Sequence, residues 1–298
     1  MREMRLEVEP GTYVVAVSGG VDSVVLLELL RQLPDVKLVV AHFDHGIRDE
    51  SGDDQLFVQA LASQHRLPYV YKEGNLGPTA SEAIARDARY AFLRQVMKAA
   101  DAKAIITAHH EDDMLETALL NILRGTGRKG LSSLKNTQDI IRPLLAIPKQ
   151  DIIAYAKDQG LIWHEDSTNA STVYLRNYIR HKLMPHFDIQ TRQQLRQLID
   201  STADANEEID AMLAGRLLLQ PSADTLNRHE FIMLPHEVSR ELVAAWLRAH
   251  EIRSFDRKTI ERITAAAKTY TPGKLIDVDA TYIIRVDKDI LALTLRER

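Results

Sequence analysis

The chain has 298 residues, of which 45% are hydrophobic and 27% are charged, and its net charge at neutral pH is −4. This composition is that of a globular protein long enough for roughly two domains. The chain has no cysteine, which excludes disulfide bonds, thiolate zinc sites, iron–sulfur clusters and a cysteine nucleophile. Because the sequence has no apolar run of about 18 residues and its first residues are charged, we expect no membrane span, no secretory signal and a cytoplasmic location.

Short apolar runs alternate with longer runs of helical character along the first half of the chain. The short runs predict strands at Tyr13–Val17, Lys37–Ala41, Pro68–Tyr71, Ala104–Thr107 and, more weakly, Ile140–Ile141. The longer runs predict helices at Val21–Leu33, Asp53–Gln64, Ala80–Ala100 and Asp112–Arg124. This alternation indicates an α/β fold with a doubly wound, mainly parallel sheet and helices on both faces. Ligands of such sheets bind beyond the carboxyl ends of the strands.

The first predicted strand leads into Ser18-Gly19-Gly20-Val21-Asp22-Ser23 at the start of a helix. Glycines let the backbone approach an anion closely, and a helix N-terminus offers amide donors and positive potential. Ser18 and Ser23 can add hydroxyl donors, and Asp22 is a candidate partner for Mg²⁺. A tight turn with a serine cap is the structural alternative. No lysine follows the glycines, which argues against γ-phosphoryl transfer and favours chemistry at an α-phosphate.

A polar cluster, His42-Phe43-Asp44-His45-Gly46-Ile47-Arg48, follows the second predicted strand. Its imidazoles offer nucleotide contacts and its guanidinium offers a phosphate contact, so His42 and Arg48 are candidate ATP-binding residues. Two histidines beside a carboxylate also suggest a metal site. Histidines with a purely structural role are the third alternative.

Acidic residues follow the fourth predicted strand, in His109-His110-Glu111-Asp112-Asp113-Met114-Leu115-Glu116-Thr117. On a helix Asp113 and Glu116 are three residues apart and Asp112 and Glu116 four, so these carboxylates share one face. Their repulsion is relieved if a cation, either magnesium or an ammonium group, lies between them. The alternative is the ordinary enrichment of acids at a helix N-terminus.

Basic residues are concentrated in several segments. Arg86 and Arg89 are one helical turn apart beside Tyr90, where a surface ion network is the structural alternative. Gly125–Gly130 matches the dinucleotide pattern G-x-G-x-x-G, but a helix precedes it instead of a strand, so we predict a flexible basic loop that contacts a polyanion or closes over the site. Stretches 124–149 and 171–200 are rich in Arg and Lys and predict either nucleic-acid contacts or solvated basic faces.

The second half of the chain predicts a different organisation. Pro148 opens a helix through Gly160, Asp166–Asn169 indicates a loop, and a helix covers Thr172–Leu183. Further helices are predicted at Ile189–Leu219, Glu237–His250 and Asp256–Thr269, and short antiparallel strands at Lys274–Asp279, Thr281–Val286 and Ile290–Leu295. We expect a catalytic domain at 1–188 and, at 189–298, a linker helix with a smaller, mostly helical domain.

Residues 12–187 contain several further short motifs in a characteristic order. They are Arg86-x-x-Arg89-Tyr90-x-Phe92, Asp112-Asp113-x-x-Glu116-Thr117, Arg124-Gly125-Thr126-Gly127, Arg142-Pro143-Leu144-Leu145, Asp166-x-Thr168-Asn169 and Arg176-Asn177-x-Ile179-Arg180. Together with the Ser18–Ser23 loop, they resemble the tRNA(Ile)-lysidine synthetases of the PP-loop ATP-pyrophosphatase superfamily. Departures from the family pattern are Asp44, Met114 and Thr168. Members often have longer C-terminal regions, so we expect this chain to be a short form.

The resemblance implies a two-step ligation that uses ATP and Mg²⁺. ATP adenylates the wobble cytidine of a CAU-anticodon tRNA(Ile), and the ε-amine of free lysine then displaces AMP to give lysidine. The implied ATP-binding residues are Ser18, Gly19, Gly20, Val21, Asp22, Ser23, His42 and Arg48, with Asp22 and Asp112 on Mg²⁺. The implied catalytic residues are Asp22, Asp112, Asp113 and Glu116, and the implied lysine-binding residues are Asp113 and Glu116. The implied tRNA-binding residues are Arg86, Arg124, Arg128, Arg176, Asn177 and Arg180.

Three other functions are considered. Thiolation of tRNA relies on cysteines, which this chain lacks. A PP-loop amidation enzyme needs only the loop, but does not account for the arginines between residues 171 and 182. A tRNA-binding homologue without catalysis does not account for acids that remain beside an intact loop. We also expect no membrane partner, and a homodimer is one candidate oligomeric state.

Overall fold

The computed structural model describes residues 4–44, 46, 51–74, 77, 82–164, 175–220, 222–252 and 255–296. The chain divides into two compact units, Met1–Asp200 and Ser201–Arg298. The predicted boundary, between residues 188 and 189, lies at the first residue of the helix Ile189–Leu218, whereas the units divide within that helix. None of the helices in the described ranges combines the length and apolar character that crossing a bilayer requires.

The first unit is built on a five-stranded sheet in which neighbouring strands are parallel. Its strands are β1 (Gly11–Ala16), β2 (Val36–Asp44), β3 (Tyr69–Glu73), β4 (Ala104–Ile106) and β5 (Ile140–Ile141). Their order is β3-β2-β1-β4-β5, with Tyr13 of β1 beside Leu38 of β2 and Ala104 of β4. The order reverses direction between β1 and β4, which is where doubly wound sheets bind ligands.

The helices of the first unit connect these strands as the alternation predicted. They are α1 (Val21–Leu30), α2 (Ser51–Gln64), α3 (Glu82–Ala99), α4 (Glu111–Leu123), α5 (Arg128–Leu131), α6 (Lys149–Asp158) and α7 (Leu175–Tyr178). A π-helical turn, Ile179–Leu183, and a 3-10 turn, Met184–His186, follow α7. The predicted loop Asp166–Asn169 and the start of the predicted helix Thr172–Leu183 lie outside the described residues.

One prediction in this unit is wrong in part. The segment expected to be a flexible loop, Gly125–Gly130, instead leads into α5. Gly125 has a φ of +66°, which ends α4 and turns the chain. The side-chain amide of Asn121 then donates to the carbonyl oxygen of Gly130 at 2.7 Å, which ties the new helix to the old one.

The core of the first unit lies on both faces of the sheet. Val15 and Ile106 pack with α1, α2 and α6 on one face, whereas Val14 and Ile105 pack with α3 on the other. These four side chains are 0% exposed, and burying each contributes about 1.5–3 kcal/mol. The alternation of buried side chains along β1 and β4 therefore attaches helices to both faces of the sheet.

The second unit has its own core and sheet. Its elements after helix α8 (Ile189–Leu218) are β6 (Thr225–Asn227), α9 (Arg228–Met233), α10 (His236–Ala249), α11 (Arg257–Thr269), β7 (Leu275–Asp277), β8 (Tyr282–Val286) and β9 (Ile290–Leu295). The antiparallel order is β6-β9-β8-β7, around a core that includes Trp246 and Phe231. The three tail strands are confirmed, but the sequence did not indicate β6, because three residues are too few to show alternation.

Candidate active site

Three segments of the first unit begin where parallel strands end and therefore meet at one edge of the sheet, here called the carboxyl edge. Residues 17–23 follow β1, residues 107–113 follow β4, and residues 142–149 follow β5. Hydrogen bonds and ion pairs that join the three segments define the candidate site.

The loop Ser18–Ser23 folds around its two serine hydroxyls. Ser23 Oγ donates to the carbonyl oxygen of Gly20 at 2.9 Å and accepts from the backbone N–H of Ser18 at 3.1 Å. The backbone N–H of Gly20 donates to Ser18 Oγ at 3.4 Å. Gly19 has a φ of +94°, a conformation that a residue with a Cβ rarely adopts. The two serines and this glycine therefore set the shape of the turn.

The loop leaves three amides available at the start of α1. Within the described residues, no hydrogen bond uses the backbone N–H groups of Gly19, Val21 and Asp22. Unpaired amides at a helix N-terminus form an anion-binding site, and the helix dipole adds to it. The arrangement supports the prediction of a phosphate cradle.

A segment that follows α6 holds the loop in place. The backbone N–H of His164 donates to the carbonyl oxygen of Gly19 at 3.0 Å. The His164 ring stacks on Phe57 with centroids 4.4 Å apart, and its Nδ1 lies 2.8 Å from a carboxylate oxygen of Asp54. Two side chains of α2 thus orient the residue that fixes Gly19.

The carboxylate of Asp22 has two cationic neighbours. Lys149 Nζ donates to its two oxygens at 2.5 and 2.6 Å, and His110 Nε2 lies 3.7 Å from it. Burial raises the pKa of Asp22, but the hydrogen bonds and charges of His110 and Lys149 outweigh burial and lower the pKa below its usual value. Asp22 is therefore ionised at neutral pH. Lys149 brings to the loop the positive charge that the loop's own sequence lacks.

His110 connects the loop to the first turn of α4. Its Nδ1 accepts from the backbone N–H of Asp113 at 3.4 Å, while the Asp113 carboxylate accepts from the backbone N–H of His110 at 3.1 Å. Because Nδ1 accepts, the proton of the neutral ring is on Nε2, the nitrogen near Asp22. Burial lowers the pKa of His110, but the hydrogen bond to Asp22 and the charges of both aspartates raise it overall.

Asp112 joins the same network through its two oxygens. One accepts from the backbone N–H of Lys149 at 3.1 Å, and the other accepts from Arg192 at 3.0 Å. These bonds outweigh the effect of burial and lower the pKa of Asp112. Lys149 therefore contacts Asp22 with its side chain and Asp112 with its backbone.

Asp113 and Glu116 share one guanidinium. Arg180 donates to the two oxygens of Glu116 at 2.6 and 2.8 Å and to Asp113 at 3.3 Å. Glu116 is only 1% exposed, and Arg176 Nε lies 3.6 Å from it. Burial lowers the pKa of Arg180, but these carboxylates outweigh burial and raise it. The predicted position for a cation between the acids is therefore taken by an arginine of the chain itself.

The candidate magnesium ligands differ in how well they fit the ion. Within the described ranges no three His, Asp or Glu side chains form a metal cluster. Mg²⁺ is commonly held by one or two carboxylates, with phosphates and waters completing the shell. Asp22, at the loop with its side chain 28% exposed, fits this pattern. Asp112 fits less well, because its side chain is only 19% exposed and one of its oxygens accepts from a backbone N–H. Both oxygens of each aspartate already accept hydrogen bonds, so at Asp22 the ion would share the carboxylate with Lys149.

A cavity of about 680 Å³ opens beside Asp112 and Lys149. Its walls combine Arg192 with apolar side chains, among them Met184 and Phe187. Sites of this size and mixed character are typical of small-molecule pockets. The network of paired charges thus borders a space large enough for a substrate.

Comparison with known proteins shows which family the residues of this site belong to. The family model of the PP-loop domain matches residues 2–187. The chain belongs to the PP-loop family. The U34-tRNA thiolase NcsA from Methanococcus maripaludis, solved with its [4Fe-4S] cluster, shares the fold with a TM-score of 0.53 and 19% identity, over 66% of this chain and 72% of the thiolase. The predicted fold class is confirmed.

Curated relatives of this PP-loop protein carry one name. A tRNA(Ile)-lysidine synthase of Solibacter usitatus is 33% identical over 87% of this chain and 63% of its own length, and one of Geobacter sulfurreducens is 33% identical over 94% and 59%. One of Exiguobacterium sibiricum is 41% identical over 61% of this chain and 44% of its own length. The predicted family resemblance is confirmed, and the chain spans less than two thirds of each of these relatives.

The first unit brings the four predicted catalytic residues together. Arg180, which was predicted to bind tRNA, pairs with two of them. Asp22, Asp112, Asp113 and Glu116 belong to one network, together with Arg180. The structure supports this grouping and leaves their individual roles as predictions.

Other predicted residues lie elsewhere or act indirectly. His42 is 4% exposed, and its Nδ1 donates to the carbonyl oxygen of Val17 at 2.8 Å, so it supports the strand end that precedes the loop. Arg48 lies outside the described residues. Arg124 follows the far end of α4, about 12–18 Å along the helix from its acids, and Arg128 begins α5.

Sequence reasoning missed four residues of the PP-loop site: His110, Lys149, His164 and Arg192. Lys149 had a usable signal, because it opens a helix after β5, and the carboxyl-edge rule applies to that junction as it does to the others. His110 lies at such a junction too, after β4, but its partner could not be read from the sequence. His164 and Arg192 gave no such signal, since their roles depend on which residues lie opposite in the folded chain.

Proposed function

We propose that this PP-loop protein ligates lysine to C2 of the wobble cytidine of a CAU-anticodon tRNA(Ile), with adenylation of that cytidine as the first step. One observation carries the proposal. His110 bonds to Asp113, one of two carboxylates suited to an ammonium group, and approaches Asp22 at the phosphate cradle. A site for an amine and a site for a nucleotide are thus connected through one imidazole. The names of the curated relatives support the same function.

In the first step, the C2 oxygen of cytidine forms a bond to the α-phosphorus of ATP, and the bond to the leaving pyrophosphate breaks. The free amides of Gly19, Val21 and Asp22 would bind the pyrophosphate oxygens as charge accumulates on them. Lys149 would add a positive charge beside them. Asp22, with Asp112 as a second candidate, would hold Mg²⁺, which when bound supplies further neutralisation of the phosphates.

In the second step, the ε-amine of lysine attacks C2, and the bond between C2 and the adenylate oxygen breaks to release AMP. Asp113 and Glu116 would bind and orient the ammonium form, in competition with Arg180. The ammonium must lose a proton before its lone pair can attack. Asp113 is the acceptor that we propose, because Arg180 lies 3.3 Å from it but 2.6 Å from Glu116.

The tRNA contacts stay a proposal of the same kind. Arg176, Asn177 and Arg180 come from one segment beside α4 and are suited to hold the anticodon near the site. Arg86, Arg124 and Arg128 would contact phosphates farther along the RNA, and the second unit would contribute further contacts. The wobble base must leave its stack to reach the site, as bases do in other base-modifying enzymes.

Release of pyrophosphate tests the proposal. The protein is incubated with ATP and Mg²⁺, with and without unmodified tRNA(Ile) and lysine, and the tRNA product is analysed by mass spectrometry. We expect pyrophosphate release that requires the tRNA, and a tRNA that gains the mass of lysine less water. Release that requires a different acceptor would favour another adenylating amidation enzyme. A protein that binds tRNA and releases no pyrophosphate would be a non-catalytic homologue.

Two variants separate the steps. Asp22→Ala should abolish adenylation, whereas Asp113→Ala should retain tRNA-dependent pyrophosphate release and require far more lysine. Asp158→Asn, at an exposed carboxylate near the end of α6, is the matched control and should behave as the wild type. Unchanged lysine dependence in Asp113→Ala would remove Asp113 from the amine site.

A further inference from the structure

Three arginines surround one tyrosine at the carboxyl edge. The guanidiniums of Arg86 and Arg89 on α3 each lie 5.2 Å from the ring centroid of Tyr90. Arg142, which follows β5, is 4% exposed, and its pKa is affected by the phenol of Tyr90. We call Arg86, Arg89, Arg142 and Tyr90 the arginine cluster.

The arginine cluster has no counter-ion within the described residues. No carboxylate there forms an ion pair with Arg86, Arg89 or Arg142. A nearby arginine, Arg94, also lies over the Tyr90 ring, at 5.8 Å, but it pairs with Asp139 at 2.7 Å. Among the described residues, the three guanidiniums of the cluster therefore have no carboxylate within ion-pair distance, although the charge of Asp139 raises the pKa of Arg142.

Buried polar atoms of the cluster also lack partners. Arg89 Nε, Arg142 Nε and the Tyr90 hydroxyl are buried without a hydrogen bond. Arg142 donates from another nitrogen to the carbonyl oxygen of Lys135. Burial lowers the pKa values of Arg89 and Arg142 and the charge of Arg86 lowers both as well, whereas the phenol of Tyr90 raises both. Buried polar atoms without a partner are costly, and a bound ligand or ion is one way in which a protein supplies the missing partner.

The cluster lies beside the site already described. Burial, together with the charges of Arg89, Arg142 and Arg86, lowers the pKa of His109 to about 3 against the opposing charge of Asp113. His109 directly precedes His110, and its Nδ1 lies 2.8 Å from Thr107 Oγ1. The field of the arginines therefore reaches the residues where α4 begins, next to the loop.

We infer that Arg86, Arg89 and Arg142 form a binding subsite for one phosphate group of a substrate. Guanidiniums match phosphate oxygens in pairs of hydrogen bonds, and a dianionic or diester phosphate supplies the charge that the cluster lacks. The inference rests on the proposed function for the source of that phosphate, which is either the backbone of the RNA or the nucleotide. Its chemistry is the same in both cases.

The test compares two arginines that have no carboxylate partner among the described residues with a nearby arginine that has one. Arg89→Met and Arg86→Met remove unpaired guanidiniums, and Arg94→Met removes the paired one on the same helix and the same ring. Dissociation constants are measured for ATP by calorimetry and for unmodified tRNA(Ile) by filter binding at several salt concentrations. Thermal unfolding of each variant reports whether it has folded.

If the subsite binds an RNA phosphate, Arg89→Met and Arg86→Met should each weaken tRNA binding about tenfold and leave ATP binding unchanged. The slope of log affinity against log salt concentration should fall by about one in each variant. If the subsite binds a phosphate of the nucleotide, the two variants should lose a similar factor in ATP affinity and bind tRNA as the wild type does. Arg94→Met should match the wild type with both ligands. The inference is overturned if Arg89→Met and Arg86→Met bind both ligands as Arg94→Met does.

Two further readouts separate a binding role from a structural one. Arg89→Lys should keep part of the affinity, because it retains the charge but not the paired hydrogen bonds. The melting temperature of Arg89→Met without ligand should be no lower than that of the wild type, since repulsion is relieved; a large decrease with unchanged affinities would indicate a structural role. The binding assays need no lysine, so they decide this inference even if no lysidine is formed.

Discussion

Two charged regions at the carboxyl edge of the first unit are built in opposite ways. At the start of α4, each acid has a cationic partner from a distant part of the chain: Glu111 pairs with Arg196, Asp112 with Arg192, and Asp113 and Glu116 with Arg180. In the arginine cluster, the guanidiniums have no carboxylate partner within the described residues. One region is balanced before any ligand binds, and the other is not.

The difference indicates how each region can bind a ligand. In the balanced region, a cation such as an ammonium group must displace or share a partner, so binding is an exchange between charges of similar strength. In the arginine cluster, an anion would meet unpaired donors and relieve repulsion. The first arrangement favours specificity and a stable unliganded fold, and the second favours affinity at a cost in stability.

The largest effect on the contrast between the two regions is expected when the acids of α4 lose a cationic partner. Arg180→Met leaves Glu116, which is 1% exposed, without its paired hydrogen bonds. We expect the free energy of unfolding to fall by about 3–5 kcal/mol, because an uncompensated charge is buried. Urea denaturation measures this change. The double variant Arg180→Met/Glu116→Gln should recover much of the loss, and a loss of under about 1 kcal/mol in the single variant would show that Arg176 alone balances Glu116.

The second prediction concerns the charge that tertiary structure adds to the loop. Lys149→Met removes the ammonium group 2.5 Å from Asp22 but retains the backbone bond to Asp112. We expect tRNA-dependent pyrophosphate release to fall about 100-fold, since a charge beside the leaving group is lost. Lys157→Met, at an exposed lysine in the last turn of the same helix, is the control. Equal rates for the two variants would remove Lys149 from the site.

The third prediction uses the histidine between the two regions. The pKa of His109 is about 3 in the folded protein and ordinarily about 6.5, so protonation favours the unfolded chain. The wild type should lose about 1 kcal/mol of stability per pH unit relative to His109→Asn as the pH falls from 6.5 toward 4. Denaturation curves of both proteins at several pH values measure the difference. Parallel pH profiles would mean that neither burial nor the arginines lower the pKa of this imidazole in the folded protein.

The smallest effect is expected for the arginine that has a counter-ion. Arg94 and Asp139 form a pair at 2.7 Å, with side chains 52% and 33% exposed. Because such surface pairs are weak, Arg94→Met should change the free energy of unfolding by less than about 1 kcal/mol. Chemical denaturation checks this value. A larger loss would mean that the ion pair with Asp139 stabilises the fold more than an exposed pair usually does.

The sequence indicated much of the fold and part of the site. The strand and helix pattern of the first unit followed from apolar periodicity, and the loop followed from two glycines and two serines between a strand and a helix. The acids of α4 were found from their spacing. In contrast, α5 and β6 were not predicted, because a four-residue helix and a three-residue strand leave too short a pattern.

Local sequence by itself determined where a phosphate cradle and an acidic helix start occur, since both depend on residues within one or two turns of each other. Only the tertiary structure decided which charges meet. Lys149 is 127 residues from Asp22, and Arg180 is 64 from Glu116. Such pairs form because parallel strands end at one edge and bring their connections together. The same packing left the arginine cluster without a carboxylate, which no inspection of residue spacing reveals.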